Sequence, residues 1–184
     1  MTTALFWFRK DLRLKGNHAW VKACETHRVL PVFVLEPQII ANAGQHRRDQ
    51  FFLNLSALAA EIQSIGGMLN VIHGPARDVL PRYVRENNID CLYFNADTTP
   101  FSRQRDEFLS NEISAPTHTF WSGLVHPPRT VLTQKGEISK VFTPFYKKWV
   151  TIPAPPSLQN IQPVFVSGRE NDWEIEQDLM PSSS

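Results

Sequence analysis

Ala4-Leu5-Phe6-Trp7-Phe8, followed at once by Arg9-Lys10-Asp11-Leu12-Arg13, is the stretch that decides the fold. An apolar run without alternation suits a strand covered on both faces, and the abrupt change to charge puts a polar loop at its carboxyl end. Asn17 can cap a following helix, in which Ala19, Trp20, Ala23 and Cys24 recur at three and four residues up to about His27. Val29 to Leu35 reads as a second strand, with Pro31 placed near its start because proline has no ladder donor. From Gln45, the stripe Phe51, Phe52, Leu55, Leu58, Ala59, Ile62 and Ile65 predicts a long helix stopped by Gly66-Gly67.

The alternation continues. Met68 to Ile72 is the third strand, His73-Gly74 a turn, and Pro75 opens a helix carrying Val79, Leu80, Tyr83 and Val84 that Asn87-Asn88 closes. Cys91 to Phe94 is the fourth strand, Pro100 starts a polar helix through Leu109, and Thr117 to Trp121 is the fifth strand. Short apolar strands alternating with amphipathic helices predict an α/β fold: a doubly wound, mainly parallel five-stranded sheet flanked by helices, Rossmann-like, over residues 1–125. Residues 126–184 read as an irregular connector and tail, with a hairpin around Gln134 to Gly136 and an acidic end expected to wrap the surface or fray.

Composition fits one soluble domain. The chain has 184 residues, 42% hydrophobic and 20% charged, enough for a core without a disulfide or metal staple. Nineteen basic against 18 acidic side chains leave +1, so bulk charge gives no case for nucleic-acid or membrane binding. The first apolar run is too short for a signal peptide or a membrane span, and the 2 cysteines lack CxxC spacing; a reducing cytoplasm is the expected location, with no membrane partner.

The familiar chemistries are missing from the pattern. No GxGxxG follows the first strand, no GxxxxGK loop occurs, and the 6 histidines show neither HExxH nor an i, i+4 pair. No GxSxG elbow presents a nucleophile, so no catalytic residue and no metal ligand is assigned. What remains lies at strand ends. In a doubly wound sheet the loops 9–13, 36–45 and 96–106 converge outside the carboxyl edge, where ligands bind. There, arginine forks beside aromatic faces could hold a flat, anionic, conjugated ligand. Arg9 with Asp11, or Asp97 with Arg103, could equally be loop-ordering ion pairs. Trp7, Trp20 and Trp121 read as core. Arg47 and Arg48 oppose the positive end of their helix, which fits either a ligand or long stems that cover apolar surface.

WFRKDLR at 7–13, LEPQI at 35–39, HRRDQFFLNLSAL from His46, NADTTPFSRQRD at 95–106 and VFTPFYKKW at 141–149 resemble, in order and spacing, the N-terminal domain of the DNA photolyases and cryptochromes. The resemblance implies a domain that binds a light-harvesting chromophore, a deazaflavin or a flavin, and passes excitation to FAD held in a larger helical domain. That domain also makes the contacts with damaged DNA and reverses pyrimidine dimers; it is expected to be absent here, which would leave this chain inactive as a lyase.

By the same resemblance the chromophore pocket is formed by Phe8, Arg9, Asp11, Leu35, Glu36, Arg48, Phe52, Asn95, Asp97 and Arg103. Arg9 and Arg48 are expected to act on the ligand and to matter little for stability. Folate binders carry an Asn-Glu pair where this chain has Phe101 and Ser102, so folate is the least supported antenna. Thr99 stands where deazaflavin binders often have an acid. The other expectations are a stand-alone nucleotide- or flavin-binding module, a cryptochrome-like signalling fragment, or a scaffold with an empty pocket.

Overall fold

The structure, a computed structural model, describes residues 1–159 and 161–166, without the side chains of Ile39 and Ile40. The acidic tail discussed above lies outside the described residues. The central sheet is built from β1 (Thr3–Phe8), β2 (Arg28–Leu35), β3 (Asn70–His73), β4 (Cys91–Asn95) and β5 (Thr117–Phe120), in the order β3-β2-β1-β4-β5. All neighbours are parallel. The order reverses between β1 and β4, and that is the switch point of a doubly wound sheet.

The helices are α1 (His18–Thr26), α2 (Pro37–Ala41), α3 (Gln45–Ser64), α4 (Ala76–Glu86), α5 (Pro100–Glu112) and α6 (Phe142–Trp149). β1 shows how the two layers form, because alternate residues of a strand point to opposite faces. Ala4, Phe6 and Phe8 pack with Trp20 and Ala23 of α1 and Phe52, Leu55 and Leu58 of α3. Leu5 and Trp7 pack with Val79, Leu80 and Tyr83 of α4 and Leu109 of α5. Every residue of β1 is buried, as its unbroken apolar run requires.

Several details depart from the sequence reading. Pro31 is not at the start of β2 but at its fourth position, opposite Phe6. It is tolerated because it falls in a gap on β2's other side: pairing with β3 begins only at Val32, and a two-residue strand, β6 (Val164–Phe165), pairs with Arg28 and Val29. In that gap the Asn70 side chain donates to the Pro31 carbonyl (3.1 Å), so the backbone acceptor is satisfied. β6, α2 and α6 were not expected; α2 lies in the loop after β2, while α6 and β6 fall within the connector. The hairpin was expected, and Leu132 and Ile138 bridge there around Gly136, which takes φ 77°. Trp121 is half-buried beyond β5, the edge strand of the described sheet, rather than in the core.

Candidate functional site

The carboxyl ends of β1, β2 and β4 open onto a cavity of about 360 Å³, within the usual range for small-molecule sites. Its apolar walls are Trp7 and Phe8 of β1, Phe33 and Val34 of β2, Phe51 of α3 and Phe101 of α5. Phe101 is 59% exposed and stands at the mouth.

Below the mouth, charge is arranged in a chain. Arg9 Nη1 donates to both carboxylate oxygens of Asp106 at 2.8 Å, with side chains 7% and 14% exposed. Arg105 Nη1 donates to Glu36 Oε1 at 3.2 Å, and its Nε lies 3.5 Å from Asp106. The two guanidinium groups lie over the same indole, 5.1 Å (Arg9) and 4.7 Å (Arg105) from the Trp7 ring. Arg105 also lies 5.5 Å from the Phe101 ring. Burial first, then the like charge of Arg9, pulls the Arg105 guanidinium below its usual value, and Asp106 and Glu36 oppose that. Two cations and two carboxylates cancel, so the inner wall of the cavity is electrically neutral. The arginine fork that the sequence reading placed beside aromatic faces, Arg9, is thus already held by a carboxylate.

At the entrance Lys10 Nζ pairs with Asp97 Oδ1 at 2.8 Å. Burial would raise the Asp97 carboxyl, but hydrogen bonds from Lys10 and from the Thr99 and Thr98 amides, together with the charge of Lys10, hold it below the usual carboxylate range. Asp97 Oδ2 also accepts from Ser102 Oγ (3.3 Å).

Four of the ten residues named from the sequence line the cavity: Phe8, Arg9, Glu36 and Asp97. Leu35 and Phe52 lie in the core beneath it. Asp11 and Asn95 belong to a polar cross-link at the switch point. There Asn95 Nδ2 donates to Asp11 Oδ2 and to Asn17 Oδ1, Asn17 Nδ2 donates to Asp11, and Asn95 Oδ1 accepts from the Ala19 amide. That network ties the loop after β1 to the end of β4. Arg48 is half-buried on α3, donates to Gln45 Oε1 at 2.8 Å, and does not line the cavity.

Arg103 is exposed on the outer side of α5, while Arg105, which the sequence reading omitted, is 8% exposed and faces in. Helix register separates them. Ser102, Arg105 and Leu109 are the buried residues of α5, spaced three and four apart, and Arg103 falls off that stripe. The alternative pairings considered from sequence, Arg9 with Asp11 and Asp97 with Arg103, give way to Arg9 with Asp106 and Asp97 with Lys10; from Arg9, Asp11 accepts the backbone amide and not the guanidinium.

Among the described residues no group of three or more metal-ligating side chains occurs. The Cys24 and Cys91 thiols are pushed up by burial, to about 12 and about 11, and so are protonated near neutrality. The arrangement can hold a flat apolar ring system in a fixed orientation within a rigid, charge-balanced wall.

Comparison with known proteins agrees with this architecture. The archaeal photolyase from Sulfolobus tokodaii, a solved structure described as holding two FAD molecules, superposes with a TM-score of 0.78 at 27% identity over 95% of this chain and 41% of its own. An uncharacterized 31.6 kDa protein of Synechococcus sp. (strain PCC 6716) is 32% identical over 81% of this chain and 55% of its own length. The deoxyribodipyrimidine photo-lyase of a second Synechococcus strain is 29% identical over 82% of this chain. This chain spans 32% of that photo-lyase's length. The family model described as DNA photolyase matches residues 4–163. Because that match takes in all six helices and the five-strand path of the sheet from Ala4 onward, this chain belongs to the DNA photolyase family.

Proposed function

We propose that the rim cavity binds a planar light-absorbing chromophore, a flavin or a deazaflavin, and that the domain serves light harvesting in a photolyase-type protein. The observation that carries this reading is the aromatic cavity at the switch point, whose arginines are already neutralised by Asp106 and Glu36. A ring system gains there from apolar burial and stacking on Phe101 and Phe51, with no buried charge left to be matched by the ligand. Excitation transfer requires placement and exclusion of water, not proton transfer, which accords with a site lacking an oriented nucleophile and base. The photolyase from Sulfolobus tokodaii, described as holding two FAD molecules with the implication of a novel light-harvesting cofactor, supports a flavin as the ligand.

Folate remains the least favoured antenna, since Phe101 and Ser102 supply one ring and one hydroxyl where an amide and a carboxylate would be needed. Dimer reversal, catalytic FAD and contact with damaged DNA belong, on this reading, to the helical domain that the family resemblance implies and not to the residues described here. Among the described residues no helix is long and apolar enough to cross a membrane, and a cytoplasmic setting is proposed.

Titration of the purified chain with riboflavin, followed by quenching of flavin fluorescence, tests the reading. Saturable one-to-one binding is expected. Phe101→Glu places a charge on an exposed wall and should weaken binding about tenfold, equivalent to about 1.4 kcal/mol, with stability changed by less than about 0.5 kcal/mol. Absence of saturable binding, or an affinity indifferent to Phe101→Glu, rejects it.

A further inference from the structure

α6 carries an apolar surface that the packed layers do not use. Phe142, Tyr146 and Val150, spaced four apart, are all exposed, Phe142 by 73%, and the first two rings stack on each other at 5.7 Å. The helix buries none of its residues. Phe145 and Trp149, on the neighbouring strip of α6, line a cavity of about 500 Å³ whose other walls include Leu124, Arg129, Val131 and Ile138. Leu124 and Ile138 are exposed as well. Apolar groups gathered over a helix and an adjoining cavity mark a binding face, in contrast to singly scattered ones.

Charge indicates what covers it. Between Trp121 and Val166 the chain carries Arg129, Lys135, Lys140, Lys147 and Lys148 against one acid, Glu137, a net of +4. Among the described residues none of the five pairs with a carboxylate, and Lys148 Nζ donates to the Leu132 carbonyl at 2.8 Å. Beyond Val166 the balance reverses. Residues 167–184 hold Glu170, Asp172, Glu174, Glu176 and Asp178 against Arg169, a net of −4. Trp173 and Ile175 alternate with these acids and Leu179 and Met180 follow them, so one segment offers carboxylates and apolar groups together.

Length permits the contact. Val150, at the end of α6, and Val166, whose amide is bonded to the Val29 carbonyl, are 16 residues apart along a largely exposed path that includes the turn after the helix. The segment beyond Val166 has 18 residues, enough to retrace that path. We infer that residues 167–184 dock on their own domain along α6. Their carboxylates meet Lys140 and Lys147, and their apolar side chains cover Phe142 and Tyr146. This inference is independent of the chromophore reading.

Carbodiimide cross-linking of the intact chain, mapped by mass spectrometry, tests it. Links from Lys140 or Lys147 to carboxylates between Glu170 and Asp178 are expected within single chains, at a yield unchanged on dilution. Hydrogen exchange supplies the second readout. Glu174→Lys with Glu176→Lys should speed exchange of the α6 amides at least about tenfold while β1 and β4 keep their protection. Adding Lys140→Glu and Lys147→Glu to that variant should slow the α6 amides again, which damage to the fold could not do. Links between chains, or a yield that falls on dilution, would assign the face to a second copy and overturn the inference. Absence of links from the segment, or α6 exchange indifferent to its charge reversal, would leave the face to another domain or protein and overturn it equally.

Discussion

Asp106 is the carboxylate on which the charge balance of the rim turns, since Arg9 reaches both of its oxygens and Arg105 approaches it from the other side. Removing one member of a buried pair leaves the other uncompensated, and this costs about 3–5 kcal/mol. Asp106→Asn and Arg9→Ala should therefore each lower stability by about that amount in urea unfolding, and the double variant should cost less than the sum. A change below about 0.5 kcal/mol in either would show that water reaches the pair. From sequence, Arg9 was expected to act on a ligand with little effect on folding; its 7% exposure and its pairing with Asp106 argue for a larger effect on folding. Composition around position 9 gives no hint of this, because the partner lies 97 residues away and on another element. Arg105 was within reach of sequence reasoning. The stripe Ser102, Arg105, Leu109 is written in the spacing of α5, and applying helix period there would have preferred Arg105 to Arg103.

At the scale of elements, the strands and helices flanking the site follow from local pattern, and the late elements do not. β6 has two residues and no alternation; it exists because β2 has a bare stretch at Arg28 and Val29 and because Phe165 finds a place to pack. That place is Gly67, just after the turn that ends α3, where an added Cβ would lie 2.5 Å from the Phe165 ring. The glycine pair in the sequence reads as a helix stop, which accounts for Gly66 at φ 87°; the second glycine is needed for close approach instead. Gly67→Ala should displace Phe165 and release β6. The amide of Val166, bonded to the Val29 carbonyl at 3.0 Å, should then exchange its hydrogen much faster while amides of β1 and β4 keep their protection. Uniform loss of protection would mean that the contact supports the whole sheet. α6 was missed although Phe142, Phe145, Tyr146 and Trp149 recur at three, four and seven residues; the stripe is not a core stripe, since the helix buries none of its residues and Phe142 and Tyr146 are exposed.

For the molecule as a whole, strand identity was legible in the sequence but strand order was not, because order depends on which crossover turns back at β1 and nothing in the local pattern encodes that choice. The convergence of the three loops followed once the sheet was parallel, and the cavity lies where it placed them. The reversal at β1 and β4 also divides the sheet into β3-β2-β1 and β4-β5, which meet along the β1–β4 ladder, with the side chain of Asn95 tying the loop after β1 to the end of β4. Asn95 is 5% exposed, and its amide serves Asp11, Asn17 and the Ala19 backbone at once. Asn95→Ala strips these buried groups of partners, at a cost of about 1–3 kcal/mol for each group left unsatisfied. β1 is common to both packed layers, so the two parts of the sheet should still unfold together. The variant is expected to show one transition at lower urea with an unchanged slope. It should also bind riboflavin more weakly, because the loop after β1 that carries Arg9 and Lys10 is no longer tied to β4. A biphasic transition would identify the two parts as separately stable units and would remove the cross-link from any role in shaping the cavity.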